Sequence, residues 1–303
     1  MERLGRRAVL IALCCWCAAA QGRPLQEVLN HGTLRVGVAL YAPWAARGRD
    51  NELVGFEIEV ANQLAADMGV RPDIRVYPFE RLIPALEAGE IDLIAAGLTI
   101  TPERALHVNF SAPYGGGGIA LATHLPSTDE FARLEELNDP GFRLAAVQGT
   151  VSVDVAARYL ARAELVLFPT VEEASAAVVA GDVHGFLEEQ PVPAFLALEH
   201  PESVDVPLQR PLVETRAGLA VGKGDPDFLA FLNAWITARE ADTWLETRRT
   251  YWFQSLRWRD RVANGASDCS RRGGAGRRGR GTRSTGRARA RRRRPAAAAA
   301  RAR

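Results

Sequence analysis

Hydrophobic positions along this chain alternate between short continuous runs and stripes with helical spacing. Leu34 to Val38, Ile74 to Val76 and Ile91 to Ala96 are apolar runs of strand length. Apolar residues at intervals of four predict a helix after the first run, at Phe56, Val60, Leu64 and Met68. Charged residues of that helix, Glu57 among them, are expected to face solvent. A second helix is predicted from Phe79 to Ala88, and the alternation predicts a parallel sheet covered by helices.

The same alternation continues in the second half of the chain. Leu144 to Val147 predicts a strand followed by a helix. Thr170-Val171-Glu172-Glu173 is a capping-box sequence that predicts the start of a further helix, ended by Gly181. The segment from Asp182 to Glu189 then parallels Glu90 to Gly97, so the two halves look like two versions of one αβ unit.

A last strand and two helices are predicted near the carboxyl end. The strand covers Arg216 to Val221, and the first helix presents an apolar face of Phe228, Leu232, Trp235 and Ile236. The second helix runs through Trp252-Phe253, and the folded part is expected to end near Trp258.

Groups suited to a carboxylate meet where the third predicted strand ends and a helix begins. Thr101 followed by Pro102 predicts the N-cap and first residue of that helix. The junction contains the Gly97 backbone, the Thr99 hydroxyl and the Arg104 guanidinium, which offer main-chain, hydroxyl and bidentate donors. We interpret it as a carboxylate clamp. An ordinary strand-turn-helix with a surface arginine is the alternative.

Six segments between residues 32 and 114 carry a family resemblance. They are Gly32 to Val38, Leu53 to Glu59, Leu82 to Leu86, Gly89 to Ile94, Thr99 to Arg104 and Asn109 to Tyr114. In sequence and order they resemble the family 3 periplasmic solute-binding proteins of amino-acid ABC importers. Looser similarity continues through Val147 to Thr150 and Val221 to Pro226, so the resemblance covers residues 30 to 258.

The resemblance implies an α/β protein with the two-lobed periplasmic-binding-protein type II fold, each lobe a mostly parallel sheet flanked by helices. Residues 30–118 and 214–258 would form lobe 1, and residues 119–213 would form lobe 2. The chain would cross between lobes at Gly115 to Gly118 and return between Thr215 and Val221. Four glycines suit neither a helix nor a strand interior, so we interpret them as a hinge.

A ligand site between the lobes follows from the same resemblance. Arg104, Thr99 and Gly97 would hold the ligand carboxylate, and Tyr41 and Phe79 would cover the rest of the ligand. Core packing is the alternative role for both aromatic residues.

Lobe 2 would complete this site from a helix start and a strand end. The helix start at Thr150 presents N–H groups and the positive end of the helix dipole. The family usually has a second hydroxyl residue where Val151 stands, so only its backbone N–H would serve. Glu189 matches the acidic residue, usually aspartate, that binds the ligand ammonium, and its extra methylene affects ligand size or register. Glu188 competes for this role, because strand alternation lets only one of the two face the cleft.

The amino terminus predicts export. Met1 to Arg7 is basic, Ala8 to Cys17 is apolar and Ala18 to Ala20 fits a cleavage site, so residues 1–20 are a predicted secretory signal peptide. Localisation in the periplasm is therefore expected. Attachment of a lipid to a cysteine of the signal is the alternative, although none of these cysteines lies in a good lipobox.

Charge is distributed unevenly along the chain. The 38 basic and 36 acidic residues give a net charge of +2. From Gly265 onward there are 14 arginines and one aspartate, which leaves 24 basic and 35 acidic residues before it, a net charge of −11. Residues 265–303 are expected to be a disordered tail, since they have almost no apolar residues besides alanine.

The tail is interpreted as an accidental or neutral extension. One lysine stands against 37 arginines in the chain, which indicates a GC-rich genome whose out-of-frame DNA encodes such segments. A tail that binds anionic surfaces is the alternative. No specific nucleic-acid partner is expected, because the tail has no aromatic residues.

No cofactor or metal is expected. Three of the four cysteines lie in the signal and Cys269 lies in the tail, so the body has no thiolate ligands. The five histidines are dispersed along the sequence.

The expected function is capture of a small amino-acid-like ligand by hinge closure and its delivery to a membrane ABC permease, by a monomer without enzymatic activity. Neutral amino acids are favoured, because Val38-Ala39-Leu40 is apolar and no acidic group beyond Glu189 marks a basic side chain. Two alternatives share the scaffold. One is an enzyme resembling exported cyclohexadienyl dehydratases, with Glu188 or Glu189 as the acid, and the other is a detached sensor domain.

Overall fold

The computed structural model describes residues 23–128 and 134–262. The predicted signal peptide and the arginine-rich tail lie outside the described residues. Two larger sheets, one in each lobe, are covered by helices, and Ala46–Arg47 and Leu53–Val54 form a separate short hairpin.

The elements are numbered in chain order. The strands are β1 Thr33–Val38, β2 Ala46–Arg47, β3 Leu53–Val54, β4 Arg71–Val76, β5 Leu93–Ile94, β6 Asn109–Phe110, β7 Gly118–His124, β8 Arg143–Val147, β9 Glu164–Phe168, β10 Gly185–Glu189, β11 Val204–Asp205, β12 Val213–Glu214 and β13 Ala220–Val221. The α-helices are α1 Leu25–His31, α2 Phe56–Asp67, α3 Leu82–Glu87, α4 Pro102–His107, α5 Leu125–Thr128, α6 Val151–Tyr159, α7 Val171–Ala180, α8 Val192–Glu199, α9 Pro226–Ala241 and α10 Trp244–Phe253. Short 3₁₀ turns cover Phe79–Arg81, Leu134–Leu137 and Arg257–Arg261.

The sheet of lobe 1 has the order β4-β1-β5-β13-β6. Strand β1 runs parallel to β4 and β5, as the alternation of strands and helices predicted. Strand β13, which the chain adds after returning from lobe 2, runs antiparallel to β5 and β6. The sheet is therefore mixed, because the returning chain enters it from the opposite direction.

The sheet of lobe 2 has the order β11-β7-β10-β8-β9, and β12 also pairs with β7. Strand β8 is parallel to β9 and β10. Strand β7 is antiparallel to β10, β11 and β12. This sheet is likewise mixed, with its parallel part built by the helix-linked strands β8, β9 and β10.

The predicted apolar stripe of α2 packs in the lobe 1 core. Phe56, Val60 and Leu64 are buried there in one cluster with Trp252 from α10, whereas Met68 follows the helix and is only partly buried. Burial of such an apolar stripe is the main source of helix stability in a folded domain. Helix α2 thus packs in the same core as β1 and β5, whose ends line the cleft.

Several predicted elements are shorter in the structure. The predicted helix from Phe79 begins as a 3₁₀ turn and becomes α-helical only at Leu82. The strand predicted from Arg216 is limited to β13, because Ala217 makes isolated bridges to Thr99 and Gly115 at the crossing instead. Gly118 was predicted to lie in the hinge, but it is the first residue of β7 and pairs with β12.

Two negative findings apply to residues 23–128 and 134–262. No helix there is both long enough and apolar enough to cross a membrane. No group of three histidine, cysteine, aspartate or glutamate side chains there is arranged to hold a metal ion.

Candidate functional site

A cavity of about 390 Å³ lies between the lobes. Lobe 1 contributes the ends of β1, β4 and β5 and the start of α4, and lobe 2 contributes the end of β10 and the starts of α6 and α7. Every predicted site residue lines this cavity: Tyr41, Phe79, Gly97, Thr99, Arg104, Thr150, Val151 and Glu189. Their roles toward a ligand remain predictions.

Arg104 spans the two lobes. Its Nη1 donates to the Thr99 carbonyl oxygen over 2.9 Å within lobe 1, and its Nη2 donates to the Gly149 carbonyl oxygen over 2.8 Å in lobe 2. The guanidinium also lies 5.6 Å from the centre of the Phe79 ring. Burial lowers the pKa of Arg104, which nonetheless stays cationic. Because a guanidinium has five N–H donors, Arg104 retains donors for a carboxylate.

Thr101 positions Arg104 as the sequence predicted. The Thr101 side chain accepts the Arg104 backbone N–H over 3.2 Å, and Pro102 is the first residue of α4. This cap starts the helix at the cleft, so the side chain of Arg104 reaches the cavity.

Gly97 lines the cavity, but its N–H does not point to a free space for a ligand. It donates to Glu57 Oε1 over 2.8 Å. Glu57 was expected to face solvent, which is wrong, since it is 1% exposed and also accepts the Tyr114 hydroxyl hydrogen over 2.7 Å. The main-chain donor that we expected from Gly97 is therefore occupied by Glu57 in this structure.

Tyr41 and Phe79 form an aromatic wall. Tyr41 meets Phe79 edge to face at a centroid distance of 6.3 Å and stacks on Trp44 at 4.6 Å. The Tyr41 hydroxyl donates to the Ala96 carbonyl oxygen over 2.9 Å, which fixes the ring at the end of β5. Trp44 lines a second cavity behind this wall instead of the first, and packs on Phe253.

The start of α6 presents polar groups to the cavity from lobe 2. Thr150 is the N-cap residue, and its hydroxyl donates to the Val147 carbonyl oxygen over 2.8 Å instead of capping the helix. Val151 and Ser152 follow in the first turn, whose N–H groups have no partner inside the helix. Ser152 was not among the predicted site residues, although its hydroxyl in the first turn of this helix was the available signal.

Both glutamates at the end of β10 line the cavity. The expectation that strand alternation would admit only one of them is wrong, because Glu189 is the last residue of β10 and lies where the strand ends. Thr215 donates a short hydrogen bond to Glu189 Oε1. Glu188 is 4% exposed, and its Oε1 accepts the Glu189 N–H over 2.8 Å.

Burial dominates the titration of these acids. It raises the pKa of Glu188 to about 8, with a further increase from the charges of Glu189 and Glu172. It also raises the pKa of Glu189, although the Thr215 hydrogen bond opposes that shift. Glu188 is therefore mostly a neutral carboxylic acid near pH 7 when the cavity has no cation beside it.

The sequence profile of the bacterial extracellular solute-binding proteins, family 3, matches residues 34–255. The L-cystine-binding protein of Escherichia coli is 36% identical over 96 residues, which cover 31% of this chain and 36% of that relative. The cyclohexadienyl dehydratase of Pseudomonas aeruginosa is 23% identical over 252 residues, which cover 83% of this chain and 93% of that relative.

A solved structure also resembles this fold. It is the crystal structure of an ancestral amino-acid-binding protein described as a precursor of cyclohexadienyl dehydratase. It is 32% identical, has a TM-score of 0.70, and covers 76% of this chain and 98% of its own. The two-lobed architecture is thus that of type II periplasmic binding proteins, as predicted.

Proposed function

This chain belongs to the bacterial extracellular solute-binding proteins of family 3, and from that membership we propose that it captures a small amino-acid-like ligand between its lobes. Arg104 binds the ligand carboxylate and Glu189 binds the ligand ammonium. Tyr41 and Phe79 cover the remainder. Thr99, Gly97, Thr150 and Val151 complete the wall of the site.

The position of Arg104 carries this proposal. Its guanidinium already bonds to both lobes, and it faces a cavity that Glu189 lines from the opposite lobe. An amino acid has one carboxylate and one ammonium on the same carbon, so it can bridge these two side chains. Closure then follows, because a ligand that contacts both lobes binds the closed form more tightly than the open one.

Export and delivery belong to the same proposal. With a cleaved signal peptide the protein acts in the periplasm as a monomer, and the closed form docks on the permease of an ABC importer. Relatives of this family include amino-acid-binding proteins, which supports an amino-acid-like ligand here.

Calorimetric titration of the full chain with the common amino acids tests the proposal. Saturable binding without turnover is expected. Arg104→Ala should lower affinity about 100-fold or more, because it leaves a desolvated carboxylate without its cation. Arg81→Ala, which removes an exposed guanidinium from the adjacent 3₁₀ turn, is the control and should bind normally. Unchanged affinity in Arg104→Ala would exclude the clamp.

Glu188 supports a second candidate function, that of a dehydratase on this scaffold. A neutral carboxylic acid in a cavity can protonate a leaving hydroxyl group, and burial keeps Glu188 in that form near pH 7. A cyclohexadienyl dehydratase is among the relatives. Incubation with prephenate decides between the two functions, since consumption of prephenate that is lost in Glu188→Gln would favour the enzyme.

A further inference from the structure

Two buried polar side chains that line the cavity each have an atom without a hydrogen-bond partner in the described part of the chain. They are Glu188, through Oε2, and Ser152, whose side chain is fully buried, through its hydroxyl oxygen. Because an unpaired buried polar atom costs free energy, such atoms are exceptions in folded proteins. Together they indicate a ligand group that supplies the missing partners.

The charge of the cavity indicates what that group is. Among the described residues that line it, Arg104 is basic and Glu80, Glu188 and Glu189 are acidic. The carboxylate of an amino acid neutralises Arg104, and its α-ammonium neutralises Glu189. This pairing leaves Glu188 without a cationic partner, and it therefore stays a neutral acid near pH 7. A second cationic group on the same ligand would provide one and would donate hydrogen bonds to Glu188 Oε2 and to the Ser152 oxygen.

We infer that Glu188 and Ser152 form a subsite for a distal ammonium or guanidinium group, so that the ligand is a dibasic amino acid. The inference rests on the proposed function and names the ligand class of the same site. The cavity wall is mostly apolar, with Leu40, Val76 and Val171 among its residues. Such a wall suits the methylene chain of a basic side chain, whose charged end lies beyond it. The sequence favoured a neutral ligand because Val38-Ala39-Leu40 is apolar and because only Glu189 was counted as an acid of the cavity.

Proton release distinguishes this subsite from the rest of the site. The titratable groups that interact with Glu188 are Glu189 on its own strand, Glu172 on α7 and Tyr41 after β1. Arg104, Glu80 and Tyr77 line the same cavity from lobe 1. Since burial keeps the pKa of Glu188 near 8, a bound cation must displace its proton at neutral pH. Below pH 8, affinity for a dibasic ligand should then increase as the pH increases, by up to about tenfold per pH unit.

Titration calorimetry of the full chain with L-lysine and L-norleucine tests the inference, since the two have the same carbon chain and only lysine has the distal ammonium. At pH 7.5 we expect lysine to bind at least about tenfold more tightly, as a buried charge pair requires. Titration in two buffers of different ionisation enthalpy should show about three-quarters of a proton more released with lysine than with norleucine, since an acid with a pKa of about 8 is about that far protonated at pH 7.5. Equal affinities, or tighter binding of norleucine, would overturn the inference.

Two single variants test whether Glu188 is the source of the lysine preference and of the extra proton release. Glu188→Gln should lower lysine affinity at least about ten times more than norleucine affinity and remove the extra proton release. Glu173→Gln removes an exposed acid from the same lobe outside the cavity, and should change neither. Unchanged selectivity in Glu188→Gln would contradict the subsite. If norleucine binds through Arg104 without a preference for lysine, only this inference fails. If neither ligand nor any other amino acid binds, the proposed function fails with it.

Discussion

Arg104 donates a hydrogen bond from Nη2 to the Gly149 carbonyl oxygen over 2.8 Å, across the cleft between the lobes. The same guanidinium is tied to lobe 1 by the Thr99 carbonyl oxygen. The contact with Gly149 therefore depends on how close the lobes are. A ligand carboxylate bound at Arg104 would lie beside this contact, so lobe closure and ligand binding use the same side chain.

The close approach of the lobes at Gly149 predicts the effect of adding a single methyl group there. A Cβ on Gly149 would lie 2.9 Å from the Glu80 Cβ of lobe 1, and Gly149 has a φ of +73°. Gly149→Ala should therefore oppose closure. We expect ligand affinity to fall about tenfold or more, which is about 1.4 kcal/mol, with a loss of about 1 to 2 kcal/mol in stability from the backbone strain. Fluorescence energy transfer between one dye on each lobe would measure the closed population.

Gly69→Ala is the matched control. Gly69 has a φ of +69°, and an added Cβ there would meet nothing within 4 Å. Gly69→Ala should lower the free energy of unfolding by a similar amount through backbone strain and leave ligand affinity unchanged. If the two variants lose affinity equally, steric contact with Glu80 does not limit closure.

The sequence was sufficient to predict the parts of the site that depend on local order. The stretch Thr101-Pro102 predicted the cap that brings Arg104 to the cavity, and the structure confirms Thr101 as the N-cap and Pro102 as the first residue of α4. The two-lobed fold was confirmed as well. These predictions succeeded because helix caps and apolar runs depend on residues within one turn or strand.

The environments of the acidic residues could not be predicted in the same way. Glu57 is buried because its carboxylate meets Tyr114 and Gly97, which lie 57 and 40 residues later in the chain. Likewise, both Glu188 and Glu189 reach the cavity because β10 ends at Glu189. The side chain of Glu189 is held there by Thr215, at the point where the chain returns to lobe 1. Such contacts arise only from the tertiary fold, so neighbouring residues give no sign of them.

Glu57 should make stability depend on pH near neutrality. Burial raises its pKa to about 7, although hydrogen bonds from Tyr114 and Gly97 oppose the shift. Since the folded pKa lies above the unfolded value near 4.5, the folded state binds the extra proton. Its contribution is complete below pH 4.5 and is lost as the pH rises through 7, by about 3 kcal/mol in total. Urea unfolding from pH 4.5 to 8 would measure this loss.

Comparison of two variants isolates the effect of Glu57 from those of other acids. Glu57→Gln should flatten the decline in unfolding free energy between pH 4.5 and 7. Glu59→Gln lies on the same helix, where Glu59 is half-buried and pairs with Arg261 at 3.2 Å. This control should keep the wild-type slope. A slope that persists unchanged in Glu57→Gln would assign the pH dependence to other groups.

Asp92 should be a major stabilising residue of lobe 1. Its side chain is fully buried and accepts hydrogen bonds from both Arg23 and Arg35, at distances of 2.5 to 3.1 Å. Burial raises its pKa, but the hydrogen bonds from the two arginines outweigh this and hold the pKa below its ordinary value. Asp92→Asn should lower the free energy of unfolding by about 2 to 4 kcal/mol.

The pH dependence of this contribution has the opposite sign to that of Glu57. A carboxyl with a lowered folded pKa stabilises the protein above its unfolded pKa, near 4, and the contribution is lost as the pH falls further. Asp73→Asn is the control, since Asp73 and Arg75 form a pair with both side chains about 40% exposed. It should cost less than about 1 kcal/mol. Equal losses in the two variants, measured by urea unfolding at pH 7, would contradict the assignment.

The carboxyl-terminal 3₁₀ turn ties the lobes together independently of the cavity. Arg259 in this turn forms an ion pair with Glu199 at the end of α8 in lobe 2. Its guanidinium also lies 5.8 Å from the Phe195 ring centre, and Phe195 packs on Trp258 at 5.7 Å. The chain after α10 thus contacts lobe 2 through charge and through aromatic packing, and these contacts bias the relative position of the lobes.

A double-mutant cycle measures this bias. If the Arg259–Glu199 pair favours the closed arrangement, Glu199→Gln and Arg259→Gln should each reduce the closed population, and the double variant should do little more. The coupling should be about 0.2 to 1 kcal/mol, since both side chains are partly exposed. Glu240→Gln is the control, because it breaks the pair of Glu240 with Arg249 within lobe 1. It should lower stability without changing the energy transfer between the lobes. Fully additive effects in the cycle would show that the pair does not connect the terminal turn to closure.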